Sequence, residues 1–327
     1  MIYIKRYYKL TIICLTFLLS PLTAFALPNQ VYLGGESIGI EVDLEGVLIS
    51  GLYKVNENNP GSNAGLRPGD IIVEVDQQKV SKISDLIALT KDKEKVELKF
   101  KRNKQIKTTT LFLEKGNDNT FKTGLLVKDK ISGIGTLTFI DPNSNIFAAL
   151  GHEIVDSSSR EIIESSHGMI YSSVVTDIKR SEMGNPGGKN AKVNKDDLIG
   201  HIDKVNKFGI FGRYHIPITK KLVFYKPYNQ ISIGKAQIVT VLEGKQEMVF
   251  DINIMKLYDI SKRDSKQIVF EITDSELLQK ANGVVQGMSG SPIIQDGKII
   301  GCVTHVMVND VTKGYGIYIE TLAKQIY

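Results

Sequence analysis

The sequence predicts a mainly β chain in two parts, a small α+β module over residues 34–113 followed by a double β-barrel over residues 120–327. Three observations carry this. Residues 120–327 hold many short apolar runs, among them Gly135 to Ile140, Phe147 to Leu150, Ala236 to Leu242 and Ile299 to Val308, separated by Gly, Asn, Asp and Pro. Runs of that length and spacing build sandwiches and barrels, and about 200 residues suits two barrels of six strands. Residues 34–113 are also rich in short strands but contain one helical segment, Ser81 to Lys91, in which Ile83, Leu86, Ile87 and Leu89 recur at helical spacing. Finally, 42% hydrophobic and 24% charged residues describe a globular chain, so a core is expected along nearly its whole length.

The first residues stand apart. Lys5, Arg6 and Lys9 precede an apolar run from Leu10 to Leu19, and Ala24-Phe25-Ala26 follows. Basic flank, apolar stretch and small-residue site make residues 1–27 a signal peptide or a membrane anchor, and either would carry the rest of the chain across a membrane. The net charge of +5 is scattered among 36 acidic residues. It forms no basic stripe, which argues against a nucleic-acid partner. Of two cysteines, Cys14 lies in the apolar run and Cys302 lies between apolar residues near the C-terminus, so the exported part has no internal disulfide and Cys302 is expected to be a buried thiol.

Within 34–113 the informative phrase is Gly61-Ser-Asn-Ala-Gly-Leu-Arg-Pro-Gly-Asp70, leading into Ile71-Ile-Val-Glu-Val75. A small-residue turn and Pro-Gly-Asp before a buried strand resemble the PDZ family. The resemblance implies a peptide-binding module in which a loop presents backbone N–H groups to a peptide carboxylate. Ser37, Ile38, Gly39 and Ile40 are expected to be that loop. Ser81 or Ser84 is expected to cap the helix.

The most specific stretch is Gly287-Met-Ser289-Gly-Ser-Pro292, followed by an apolar strand, the Asp296-Gly297 turn and a second apolar strand. Glycines two before and one after a serine permit a tight turn on which the N–H groups of Gly287 and Ser289 can converge on an oxyanion. Ser291 lacks that glycine pair. The layout resembles the nucleophile segment of trypsin-like peptidases. A serine hydroxyl needs a base within reach, and His152, in Ala148-Ala-Leu-Gly-His152, follows a β-type run as the base of such enzymes does. His167, His201 and His215 lack that context, and His305 lies on the strand pair after the serine, where it could line a cleft. A third, carboxylate partner is expected to orient the base. Asp203 fits by its place midway between His152 and Ser289, and Asp274 by following the apolar run Ile268 to Ile272. The scattered histidines offer no zinc spacing, so neither metal nor cofactor is expected.

Taken together, the leading PDZ-like unit, Ala149-Leu-Gly-His-Glu153, Gly184-Asn-Pro-Gly187 and Val285-Gln-Gly-Met-Ser-Gly-Ser-Pro-Ile293 resemble the stage IV sporulation protein B family of serine peptidases. That resemblance implies His152, Asp274 and Ser289 as the catalytic residues. It also implies export from the forespore into the space between two membranes, self-cleavage, and cleavage of a membrane-bound regulator that leads to activation of a late sigma factor. The stretch before the module is shorter than members of that family can carry. Two other readings are a quality-control serine protease, in which PDZ modules usually follow the peptidase, and an inactive PDZ scaffold that only binds peptides.

Overall fold

A computed structural model describes residues 29–261 and 265–326. The signal segment at 1–27 and Cys14 lie outside the described residues. Strands β1 (Gln30–Leu33) and β2 (Ser37–Leu52) come first, followed by α1 (Pro60–Asn63), β3 (Ile71–Val75), β4 (Gln78–Lys79), α2 (Ile83–Thr90), β5 (Lys95–Arg102) and β6 (Gln105–Phe112). The hairpin β7 (Glu114–Lys115) and β8 (Phe121–Lys122) leads to β9 (Leu125–Ile140), β10 (Ile146–Ala149), β11 (Ile154–Val155), β12 (Ile162–Ile163), β13 (Gly168–Lys179), β14 (Gly188–Asn206), β15 (Gly209–Tyr214) and β16 (Leu222–Phe224). The chain ends with β17 (Gly234–Val241), β18 (Glu247–Leu257), β19 (Ile268–Ile272), α3 (Ser275–Ala281), β20 (Pro292–Gln295), β21 (Lys298–Val306), β22 (Lys313–Tyr318) and α4 (Ile319–Ala323).

The double barrel is present. In the first barrel the order β9-β10-β15-β14-β13-β2 closes through antiparallel pairing of β2 with β9. In the second, β17-β18-β19-β22-β21-β20 closes through β17 and β20. Period-two patterning fills both: Ile38, Ile40 and Val42 of β2 point into the first core with Ile170 and Ile210, while Ile238, Phe250, Ile252 and Phe270 fill the second. A third apolar cluster joins the barrels, with Phe139, Ala148 and Phe211 of the first packed on Ile299, Cys302 and Ile317 of the second. Cys302 is fully buried there, and burial pushes its thiol up to about 12.

The boundary between the two parts differs from the sequence expectation. The first barrel begins at Ser37, not at residue 120, and the PDZ-like module is an insertion between β2 and β9 rather than a domain in front of the peptidase. Both strands are shared. Residues 37–43 of β2 pair with 130–136 of β9 inside the barrel, and residues 48–52 pair with 125–128 inside the module, where β2 also joins β3. The module has its own core of Val47, Ile72, Leu86, Leu98 and Leu111. Its Pro68-Gly69-Asp70 turn is fixed because the buried Asp70 carboxylate accepts two hydrogen bonds from Arg102, at 2.6 and 2.7 Å, and one from the Arg67 N–H.

Two smaller expectations are also corrected. Helix α2 is not capped by Ser81 or Ser84. Asp85 accepts from the N–H groups of Ser81 and Lys82, and Asp129 of β9 accepts from that of Ile83, tying the helix to the shared strand. Nor do Ser37, Ile38, Gly39 and Ile40 form a carboxylate-binding loop. They are strand residues flanked on one side by Thr136, Gly135, Ile134 and Gly133 of β9, and Ile38 to Ile40 are flanked on the other by β13. Their backbone groups are committed to the ladders and the isoleucines to the core, so a peptide terminus has nothing to bind there.

Candidate active site

The nucleophile segment follows α3 and turns sharply between Val285 and Pro292. Gly287 and Gly290 have φ of +92° and +95°, a region that glycine enters without the strain a side chain would bring. Gly290 is further constrained by space: a Cβ there would stand 2.0 Å from the Thr136 carbonyl oxygen and 2.7 Å from the Leu150 nitrogen, both in the first barrel. The turn is therefore pressed against β9. Three hydrogen bonds hold it: the Thr136 hydroxyl donates to Gly287 O at 2.8 Å, the Thr136 N–H to Ser289 O at 2.9 Å, and the Thr138 hydroxyl to Gly290 O at 2.8 Å.

That contact opens a cleft of about 570 Å³ between the barrels, lined among others by His152, Ser289, His305, Gly287, Pro186 and Ile40. His152 reaches it from the bend after β10, where Leu150 and Gly151 adopt φ of +71° and +76°. Its Nδ1 lies 2.6 Å from the Glu153 carbonyl oxygen. A carbonyl oxygen can only accept, so Nδ1 carries the proton and Nε2 is left with the free lone pair that a base requires. Burial holds the His152 pKa below 6.5, opposed by the Glu153 backbone contact.

The half-buried Ser289 hydroxyl donates to Thr304 O at 2.9 Å. It does not hydrogen-bond to His152 in this arrangement, so engaging the base requires the hydroxyl to leave that carbonyl. The N–H groups of Gly287 and Ser289 have no acceptor among the described residues, leaving two donors free at the cleft. His305, on β21, lies near His152 with ring centroids 4.8 Å apart, and its buried Nδ1 has no hydrogen-bond partner among the described residues. Burial first, then the nearby His152 and Lys266, push its pKa down to about 3, so His305 is neutral near pH 7.

Neither expected carboxylate joins this group. Asp274 does not line the cleft; it is the N-cap of α3, with one oxygen accepting from the N–H groups of Glu276 and Leu277 and the other from that of Asp251. Asp203 is exposed on β14, 3.7 Å from Arg213. His152 is held instead by a main-chain carbonyl. Sequence reasoning missed that partner and the threonines of β9; the alternation Thr136-Leu-Thr-Phe139 was the available signal for two polar groups sharing one strand face. Of the other histidines, His167 is exposed, and His201 and His215 contact each other on the surface. Among the described residues no cluster of three or more His, Cys, Asp or Glu could hold a metal ion.

A family model described as SpoIVB peptidase S55 matches residues 119–323, and one described as a PDZ domain matches residues 52–102. No curated protein matches the chain. Two crystal structures of the M. tuberculosis Rv3671c protease are similar at 15% identity. The inactive form covers 59% of this chain and 82% of that one with a TM-score of 0.34, and the active form 60% and 73% with a TM-score of 0.33.

Two expectations follow from the site. Asn retains the capping acceptor, so Asp274→Asn should fold normally and keep its turnover within a few-fold of the parent, whereas loss of a triad carboxylate would cost about 10⁴-fold. Steady-state kinetics near neutral pH decides between the two. Because the base must be neutral and its pKa is lowered, the acid limb of kcat/KM should have its midpoint below pH 6.5. A midpoint above 6.5 would mean that burial does not govern the base.

Proposed function

The chain belongs to the SpoIVB peptidase S55 family and is a serine peptidase, and from that premise we propose an exported sporulation endopeptidase that cuts itself and a membrane-bound regulatory protein. The observation that carries the chemistry is the meeting in one cleft of the Ser289 hydroxyl, a histidine with its proton fixed on Nδ1, and two unpaired N–H groups. In this reading Ser289 leaves Thr304 O and gives its proton to His152 Nε2 as it attacks the scissile carbonyl. Gly287 and Ser289 N–H receive the oxyanion, and His152 protonates the leaving amine. Water, activated by the same imidazole, then hydrolyses the acyl-enzyme. Glu153 O takes the orienting role usually given to a carboxylate.

The finer assignment is supported by the family membership and by the basic, apolar and small-residue pattern of residues 1–27, which suits export from the forespore into the intermembrane space and a product that is membrane-anchored or released. The module suits protein or peptide substrates, the regulator and the chain itself among them.

Ser289→Ala should abolish proteolysis, self-cleavage and labelling by a serine-directed phosphonate while leaving the circular dichroism spectrum unchanged. Mass spectrometry of parent and variant reads both losses. Phosphonate on Ser291, or persistent cleavage by Ser289→Ala, would refute the assignment. The module is tested by excision at a natural seam: Asp43 and Lys130 are cross-strand partners, so removing residues 44–129 and joining the ends through Asn-Gly rebuilds a hairpin inside the barrel. The shortened chain should hydrolyse a small ester at close to the parent rate but cut a protein substrate at least ten-fold more slowly. Equal losses on both substrates would make the module structural.

A further inference from the structure

The Gly184-Asn-Pro-Gly187 turn has so far served only as a family mark, yet it delivers a buried lysine to the back of the nucleophile turn. Gly184 N–H donates to Val308 O, and Gly187 N–H to the Ser181 hydroxyl. The chain then runs alongside Gln286 as a parallel bridge: Gln286 N–H donates to Gly187 O and Lys189 N–H donates to Gln286 O, both at 2.9 Å. The aliphatic stem of Lys189 passes 3.1–3.2 Å from where a Cβ on Gly287 would stand. Its Nζ ends between two hydroxyls, 2.8 Å from Thr240 Oγ1 of β17 and 3.4 Å from Thr136 Oγ1 of β9, with Ser291 Oγ 3.0 Å from Thr240 Oγ1.

We propose that Lys189 is a positioning residue for the oxyanion hole, clamping the two peptide planes on either side of Gly287. The proposal rests on Ser289 as nucleophile and Gly287 N–H as an oxyanion donor. A trans peptide points its C=O and N–H in opposite directions. By holding Gln286 O, the Lys189 N–H turns Gly287 N–H the other way, toward the cleft that Gly287 lines. The next plane is fixed through Thr136, whose single hydroxyl proton is committed to Gly287 O, so that its lone pairs are left to accept from Lys189 Nζ. Glycine at φ +92° cannot hold either plane by itself.

The chemistry of the pocket supports a functional rather than a stabilising role. The amine meets the hydroxyls of Thr136 and Thr240, which Ser291 Oγ also approaches, and no carboxylate acts on it among the described residues. Burial alone brings its pKa down to about 7. An amine buried without a counter-charge weakens a fold, and an apolar side chain of the same length would serve the core better.

The test uses the full chain with Lys189→Met, which keeps the stem and removes the amine. Its Tm should equal or exceed that of the parent. Its kcat on a peptide substrate should fall about 10²-fold with KM unchanged within a factor of about three, and phosphonate acylation of Ser289 should slow in parallel. Thr136→Val should lose a comparable factor, and adding Lys189→Met to it should cost less than about three-fold more, because the lysine side chain acts through that hydroxyl. Parent-like kcat in Lys189→Met, full loss of the same factor again in the Thr136→Val background, or a fall in Tm with kcat and KM changing together would each overturn the clamp. Hydrolysis that survives Ser289→Ala would instead remove the nucleophile assignment on which the clamp rests.

Discussion

Everything in the cleft depends on one contact, the grip of β9 on the nucleophile turn. Ser289 belongs to the second barrel and His152 to the bend after β10 of the first, so their separation is set by how the barrels meet. Thr136 and Thr138 fix that meeting with three hydrogen bonds to the carbonyls of Gly287, Ser289 and Gly290. Because β9 also pairs with β10, the strand that carries the chain to His152, the same backbone registers both partners. The absence of a side chain at Gly290 lets the two backbones come this close. Shape complementarity at the apolar seam around Phe139 and Cys302 brings the barrels together, and the polar grip sets the register at which they stop.

The PDZ-like module is joined to this arrangement by two strands rather than by a linker. β2 and β9 each run for 16 residues and stay paired with each other through both parts, while the other edge of β2 passes from β13 in the barrel to β3 in the module. Asp129 adds a tie by holding the first turn of α2 to the shared strand, next to residues that pair in the barrel. The arrangement differs from tethered domains, whose relative motion is the ordinary expectation. Here the module and the wall of the cleft are stretches of one sheet.

What could be read from the sequence was local. The turn at Ser289 is specified within six residues by two glycines and a proline, the barrels by alternating apolar runs, and the Pro68-Gly69-Asp70 turn by its own composition. The insertion was not legible, because nothing in Ser37 to Ile40 distinguishes a carboxylate-binding loop from the first turn of a long strand. Only the pairing with β9, about a hundred residues away, decides it. Asp274 misled for a related reason. An aspartate between a strand and a helix suits a barrel rim and an N-cap equally well, and the N–H groups of Glu276, Leu277 and Asp251 claimed its oxygens. Lys189 follows a motif that was visible, but its burial arises from three elements converging on it.

The hydrogen bond from His152 to Glu153 O has a consequence of its own. A carboxylate that orients a histidine can be protonated away in acid or deleted by a single nucleotide change. A main-chain carbonyl is subject to neither, since every residue type at position 153 would supply the same oxygen. The partner that holds His152 therefore has no codon of its own, and it is inherited with the bend of the backbone.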